Sequence, residues 1–330
     1  MKRKKLAIII PTYNRLNCIR YYLETQLGHF QTHGIDVIVY DSSEDSDIQS
    51  CVSEFCEAGF DNLLYKRYDN GGDTRAIDDK VFSACCEFCM EYEYLWFSSD
   101  GTIFQIDKVW PSVSSGIEQH YDLLVLNHIN ASHREDQLYS DSRTLLRDCG
   151  WILTMLGTGI VSTNVIMEVV RRFPVSNREH LGLWYPLAYF CVLAERPIKA
   201  MWLGCQNTYY ENPYRTDAFW KVNGDALWQW GEVWVQAIEA LPPFYDEVKA
   251  DVIRSWDKHA KLFSIKGLMG MRAQGQITFC DVVKFRKYIK RITDTGVMWF
   301  YIITLPGNQL VLSWIRKIYR AIKKARRELQ

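Results

Sequence analysis

Leu6-Ala7-Ile8-Ile9-Ile10-Pro11-Thr12-Tyr13-Asn14-Arg15 is the stretch from which the rest of the chain can be read. A short apolar run rich in β-branched residues, halted by Pro11, reads as a strand buried on both faces. Polar residues follow at once, and Asn14–His29 then carries Ile19, Tyr22, Leu23 and Leu27 at helical spacing. The alternation repeats outward. Asp36–Tyr40 is a second buried strand ending at Asp41 and the polar stretch Ser42–Asp47. Ile48–Ala58 reads as a helix, Asn62–Tyr68 as a third, more polar strand, Ile77–Tyr92 as a helix and Tyr94–Phe97 as a fourth strand. Repeated strand–helix–strand units predict an α/β fold with a mainly parallel sheet flanked by helices. Ligands of such sheets bind beyond the carboxyl ends of the strands, so the residues just after each strand are the candidate site.

Further along, Tyr121–Asn127 is strand-like, and helices are expected near 163–172 and 181–195. From about residue 206 the composition shifts: Trp220, Trp228, Trp230, Trp234 and Trp256 lie among helical spacings, and Pro242-Pro243 marks a break. The expected organisation is a sheet domain over 1–205 and a helical, Trp-rich region over 206–330. The 330 residues carry 39 Lys+Arg against 39 Asp+Glu, with 48% hydrophobic and 14% aromatic residues. Disorder is excluded by the apolar content. Zero net charge argues against general nucleic-acid binding, which needs a basic footprint. The 10 cysteines are scattered and no secretory leader is recognisable, which points to free thiols in the reducing cytosol. Cys85-Cys86-x-x-Cys89 falls in mid-helix with no second ligand pair at metal-binding spacing, so core packing is the expected role.

Three strand ends carry chemistry: Pro11-Thr12-Tyr13-Asn14-Arg15, then Asp41-Ser42-Ser43, then Ser98-Ser99-Asp100-Gly101. Between the last two lies Asp69-Asn70-Gly71-Gly72-Asp73, a turn opening a helix. A nucleotide–sugar site needs one carboxylate for base or ribose hydroxyls and another for a divalent ion that neutralises the departing diphosphate. Asp41 and Asp100 are placed to supply them. Taken singly, Asp41 could instead cap the following helix, and the other pieces are ordinary turns.

Taken together, these motifs resemble the family 2 inverting glycosyltransferases of the GT-A fold. The resemblance extends over about residues 5–205 and includes Leu156-Gly157-Thr158-Gly159-Ile160-Val161, similar to the small-residue strand on the family's acceptor side. It implies a nucleotide-diphosphate sugar donor, UDP-sugars being favoured. Pro11, Thr12, Tyr13, Arg15, Asp41, Asn70, Gly71, Asp73, Arg75, Lys80 and Ser99 would line the donor pocket. Asp100 would hold Mn²⁺ or Mg²⁺. Two departures stand out. Ser98 occupies the first acid position of the family's Asp-x-Asp metal motif, leaving fewer protein oxygens. Glu179-His180-Leu181-Gly182-Leu183-Trp184 stands where the family has Glu-Asp followed by Asp-Leu-Trp, so the catalytic base is His180 or Glu179. Analogy with the family suggests a lipid-linked acceptor of bacterial capsule, O-antigen or wall-polymer synthesis. A protein serine or threonine is the alternative acceptor, and a catalytically degenerate scaffold the alternative to an enzyme.

Gly296–Ile315 carries no charge, but Pro306-Gly307-Asn308-Gln309 interrupts it with turn chemistry, against a spanning helix. Beyond the turn, Val311, Ile315, Ile318, Ile322, Ala325 and Leu329 share a helical face flanked by Trp314 and Tyr319. Arg316, Lys317, Arg320, Lys323, Lys324, Arg326 and Arg327 fill most of the remainder. Residues 308–330 are therefore expected to lie on an anionic membrane, placing the protein peripherally on the inner face of the cell membrane. Packing on its own domain or on a second copy, as a homo-oligomer, is the alternative for that face.

Overall fold

The computed structural model describes residues 3–69, 77–127, 135–173, 184–204, 209–215 and 225–317. Contacts divide the chain into one unit of Met1–Thr216 with Leu241–Tyr245 and another of Asp217–Ala240 with Asp246–Gln330. The first unit begins with β1 (Lys4–Thr12), α1 (Leu16–Thr32), β2 (Asp36–Asp41), α2 (Asp47–Glu57), β3 (Leu63–Arg67), α3 (Ile77–Phe88) and β4 (Tyr92–Phe97). It continues with β5 (Thr102–Phe104), α4 (Ile106–Glu118), β6 (Leu123–Leu126), β7 (Gln137–Tyr139) and α5 (Ser142–Cys149). After these come β8 (Gly159–Ser162), α6 (Thr163–Arg172), α7 (Trp184–Leu193), β9 (Ala200–Leu203) and β10 (Tyr209–Glu211).

Eight strands form one sheet in the order β3-β2-β1-β4-β8-β6-β9-β7. The first four run parallel, and β8 is antiparallel to both neighbours. β1 is buried from Leu6 to Thr12 because helices cover both sheet faces, which is why its sequence is continuously apolar rather than alternating. α1 lays Ile19, Tyr22, Leu23, Leu27 and Phe30 against the core that holds Ile8, Ile10, Val37, Val39 and Trp96. Each such side chain contributes roughly 1.5–3 kcal/mol on burial. β4 starts two residues before the apolar run suggests, because Tyr92 pairs with Lys4 and α3 ends at Phe88.

The chain winds from β1 to β2 and β3 on one side, then returns to place β4 on the other side of β1. Strand order thus reverses at β1, and the crevice outside the carboxyl ends of β1 and β4 is the topological switch point. β5, just past β4 in the chain, forms a small antiparallel pair with the distant β10, and Asn212 N–H donates to Gly101 O at 3.0 Å.

The second unit is helical. A π-helical turn over Trp228–Val233 leads into the helix Trp234–Glu239, followed by helices over Asp246–Ala260, Ile265–Ala273, Phe279–Ile292 and Val297–Thr304. Trp230 stacks on Trp256 with ring centroids 3.8 Å apart, and Trp234 Nε1 donates to Ile253 O at 3.1 Å. Buried Asp257 accepts from Phe263 N–H at 2.7 Å and from Thr293 Oγ1 at 2.6 Å. Gly307 takes the left-handed conformation (φ 88°) and turns the chain into a further helical run over 308–317. Residues 318–330 of the expected basic helix lie outside the described residues. Among the described residues no helix is long and apolar enough to cross a membrane.

Candidate functional site

The β1–α1 turn is built on Asn14, whose left-handed φ of 50° suits an asparagine better than most side chains. Asn14 N–H donates to Ser43 Oγ at 2.8 Å, and Asn14 Oδ1 accepts from Glu44 N–H at 3.1 Å. These two bonds tie the end of β1 to the end of β2, which pair in register Pro11 with Tyr40 and Thr12 with Asp41. Tyr13 stays at the surface, its hydroxyl donating to Glu44 Oε1 at 2.9 Å.

Asp41 is fully buried and does not cap α2, which starts six residues later. Its Oδ1 accepts from the backbone and hydroxyl of Ser43 at 2.8 and 2.5 Å, and its Oδ2 accepts from Tyr65 OH at 3.0 Å. Arg67 at the end of β3 approaches the same oxygen at 3.5 Å. Asp41 is thus a fixed acceptor at a strand end, oriented by a turn of its own sequence and by the neighbouring strand.

Lys80 reaches inward from α3. Its side chain is buried, and Nζ donates to Thr12 O at 2.8 Å and Ser42 Oγ at 2.5 Å. Burial lowers its pKa from the ordinary 10.5 to about 8, against the pull of Asp41 and Asp100, which favour the ammonium. Its amine thus ties the ends of β1 and β2 together at the strand ends where the resemblance places the donor.

Asp100 follows β4 and is buried, with 1% of its surface exposed. Arg15 Nη1 lies 2.6 Å from Oδ1, and Thr12 Oγ1 donates to Oδ2 at 3.1 Å. Burial pushes its carboxyl above the usual range, while Arg15, the Thr12 hydroxyl, the Gly101 amide and Lys80 pull it back. Ser98 is fully buried beneath, its hydroxyl donating to Ser99 O at 3.3 Å, and Ser99 Oγ accepts from Gly101 N–H at 3.1 Å. Thr12, Arg15, Asp41, Lys80, Ser99 and Asp100 therefore gather at the carboxyl ends of β1, β2 and β4. Of the other residues of the expected site, Pro11 and Tyr13 sit at the same end of β1, and Asn70, Gly71, Asp73, Arg75, Glu179 and His180 lie outside the described residues.

Several contributors escaped the sequence reading. Asn212, after β10, donates through Nδ2 to both Asp100 O and Cys18 O at 2.9 Å, fixing the Asp100 turn against α1. Arg215 packs its Cγ and Cδ over Gly101, 3.1 Å from where a Cβ would stand, while its guanidinium pairs with Glu211 at 2.8 Å. Tyr65 orients Asp41. The Asn212-Pro213 turn signal was the available clue for the first; the others are tertiary contacts that no local pattern announces.

Among the described residues no cluster of three carboxylate, histidine or cysteine side chains could hold a metal ion. Asp100 nonetheless supplies a hard oxygen donor set at the end of β4, its two oxygens held by Arg15 and Thr12. A magnesium ion that keeps most of its water needs only one or two carboxylates together with substrate phosphates. The residues present fit such a one-carboxylate site, with Arg15 as the competing counter-ion on Oδ1. The arrangement as a whole gathers two fixed carboxylates and the cations Arg15 and Lys80 at the strand ends, a chemistry suited to an anionic ligand bearing hydroxyl groups.

No protein-family model and no curated protein matches the chain. Among solved structures it is similar to Staphylococcus aureus TarS. The TarS 1-349 structure superposes with a TM-score of 0.53 at 15% identity, covering 95% of this chain and 91% of that one. TarS 1-349 in complex with UDP gives 0.53 at 17% identity, covering 99% and 92%. The complex with UDP-GlcNAc gives 0.53 at 16%, covering 95% and 92%. At these identities the likeness is one of architecture, and the chain has the GT-A-like fold that its strand-end motifs implied.

Proposed function

We propose that the chain is an inverting glycosyltransferase that moves a sugar from a nucleotide-diphosphate donor, a UDP-sugar in the first instance, to an acceptor hydroxyl. The observation that carries this reading is the meeting of Thr12, Arg15, Asp41, Lys80 and Asp100 at the switch point of the sheet. The solved TarS complexes with UDP and UDP-GlcNAc, which share the fold, support it. Asp41, presented by Ser43 and Tyr65, would accept from hydroxyl or imino groups of the nucleoside. Arg15 and Lys80 would place positive charge beside the diphosphate. Asp100 would hold a divalent cation, which when bound supplies charge neutralisation of the leaving nucleoside diphosphate.

Inversion needs one base. His180 or Glu179 would take the acceptor hydroxyl proton as that oxygen bonds to the anomeric carbon and the bond to the diphosphate breaks. A lipid-linked glycan of capsule, O-antigen or wall-polymer synthesis is the proposed acceptor, with a protein hydroxyl as the alternative. Ser98 at an acid position and the Arg15–Asp100 ion pair favour one second reading, a sugar-nucleotide-binding protein without turnover.

The test is nucleotide release from UDP-, GDP- and dTDP-sugars with Mn²⁺, Mg²⁺ or chelator. Metal-dependent release from one donor, lost in Asp100→Ala, is expected. Parallel His180→Ala and Glu179→Ala variants identify the base by which one loses turnover while still binding donor. Donor binding without release under any condition, with acceptor extracts included, would leave the binding protein as the correct reading.

A further inference from the structure

The helix Val297–Thr304 buries Phe300, Ile303 and Thr304, yet leaves Met298, Trp299 and Ile302 exposed on its other side. A helix apolar around its whole circumference normally lies inside a protein or in a lipid phase. Leu305 follows, 45% exposed. Past the Gly307 turn, Leu310, Val311, Trp314 and Ile315 repeat the exposure along one stripe of the 308–317 helix, Leu310 reaching 79% and Trp314 68%. So many large apolar side chains left open within a short segment are unusual on a monomeric soluble surface. The turn between the two helices is fixed: Asn308 Nδ2 donates to Ile302 O at 2.7 Å, and Arg272 Nη2 to Leu305 O at 3.4 Å.

Charge identifies the occupant. Immediately after Ile315 the sequence carries Arg316, Lys317, Arg320, Lys323, Lys324, Arg326 and Arg327 against the lone acid Glu328. A second copy on this face would bring two such clusters together. An apolar protein groove offers no negative charge to match this local excess of positive charge. A bilayer with anionic headgroups matches both the apolar stripe and the cations, and tryptophan is the residue favoured at that boundary.

We propose that residues 297–317 form a helical wedge that seats Met298, Trp299, Ile302, Leu310 and Trp314 about 5–10 Å into an anionic bilayer surface. Arg316, Lys317 and the basic residues that follow them in the sequence supply the positive charge that draws the wedge to an anionic surface. The sequence pattern alone confined membrane contact to 308–330; the exposed face of the preceding helix extends it across Pro306-Gly307. The proposal does not depend on the transferase reading.

Flotation of the full chain with vesicles of phosphatidylcholine, alone or mixed with phosphatidylglycerol, tests it. Binding to the anionic vesicles is expected, with partitioning reduced about tenfold or more in Met298→Glu/Ile302→Glu and in Leu310→Glu/Trp314→Glu. Thermal melts of both pairs should match the native chain, since these side chains are exposed. Trp299→Phe and Trp314→Phe should each reduce tryptophan quenching by brominated lipid. Three outcomes overturn the wedge. They are absence of flotation, native flotation of Met298→Glu/Ile302→Glu (the tail alone then being the contact), and a vesicle-free dimer in sedimentation that the same substitutions dissolve.

Discussion

Replacing Lys80 by methionine separates what its buried ammonium costs from what it supplies. Burial brings the amine from 10.5 to about 8. At about 1.4 kcal/mol per pH unit, the charged form then costs the folded chain about 3 kcal/mol relative to the unfolded one. Below pH 8 the amine is protonated in both states and that cost is complete. Between pH 8 and 10.5 the folded protein has released a proton that the unfolded chain still holds, so stability rises with pH; above 10.5 the contribution is gone. Methionine removes the charge but also the bonds to Thr12 O and Ser42 Oγ, about 1.5–3 kcal/mol each because the donor is an ammonium. At pH 7 Lys80→Met is therefore expected to match the native chain or to be less stable by up to about 3 kcal/mol. Urea unfolding of both proteins between pH 7 and 10.5 reads the difference, which should move by about 3 kcal/mol in favour of the native chain across that window. UDP binding should weaken about tenfold or more in the variant at pH 7. In the native chain it should weaken as pH rises above 8. A difference flat with pH would refute the depressed amine, and unchanged UDP affinity would refute its place in the site.

Asp100→Asn keeps the shape of the side chain while removing its charge; turnover is expected to fall about 100-fold or more, with circular dichroism unchanged, in the nucleotide-release assay. Asn212→Ala strips a shared donor from the carbonyls of Asp100 and Cys18 and should cost about 2 kcal/mol in urea unfolding. Gly157→Ala asks for a Cβ 2.9 Å from Phe104 Cζ at a φ of +99°, and a loss of about 1–3 kcal/mol is expected in the same measurement.

The strands of the parallel half were legible because burial on both faces leaves an uninterrupted apolar run, as in Leu6–Ile10 and Asp36–Tyr40. Their polar ends were legible for the same reason: Thr12, Asp41 and Asp100 are where the apolar pattern stops. The orientation of Lys80 was not. A lysine in the first turn of a helix looks solvated in sequence, and only the approach of Thr12 and Ser42 turns it inward. Asn212 was hidden by distance along the chain, and the second face of Val297–Thr304 by its lack of periodicity, since an apolar residue at nearly every position names no buried side. The Cys85–Cys89 cluster was correctly read as packing for two of its thiols, Cys85 and Cys89 being buried while Cys86 is exposed.

The two bonds of Asn212 join points 194 and 112 residues apart in the chain. Loop closure over such spans is paid late in folding, after local helices and neighbouring strands have formed. During synthesis, β1 to β4 emerge and pair well before β10 exists, so a nascent chain ending near residue 205 presents the Asp100 turn without its clamp and β5 without a partner strand. A truncated sheet domain should accordingly end beyond Arg215, and nucleotide binding should switch on with chain length between these two points rather than when the parallel strands are complete.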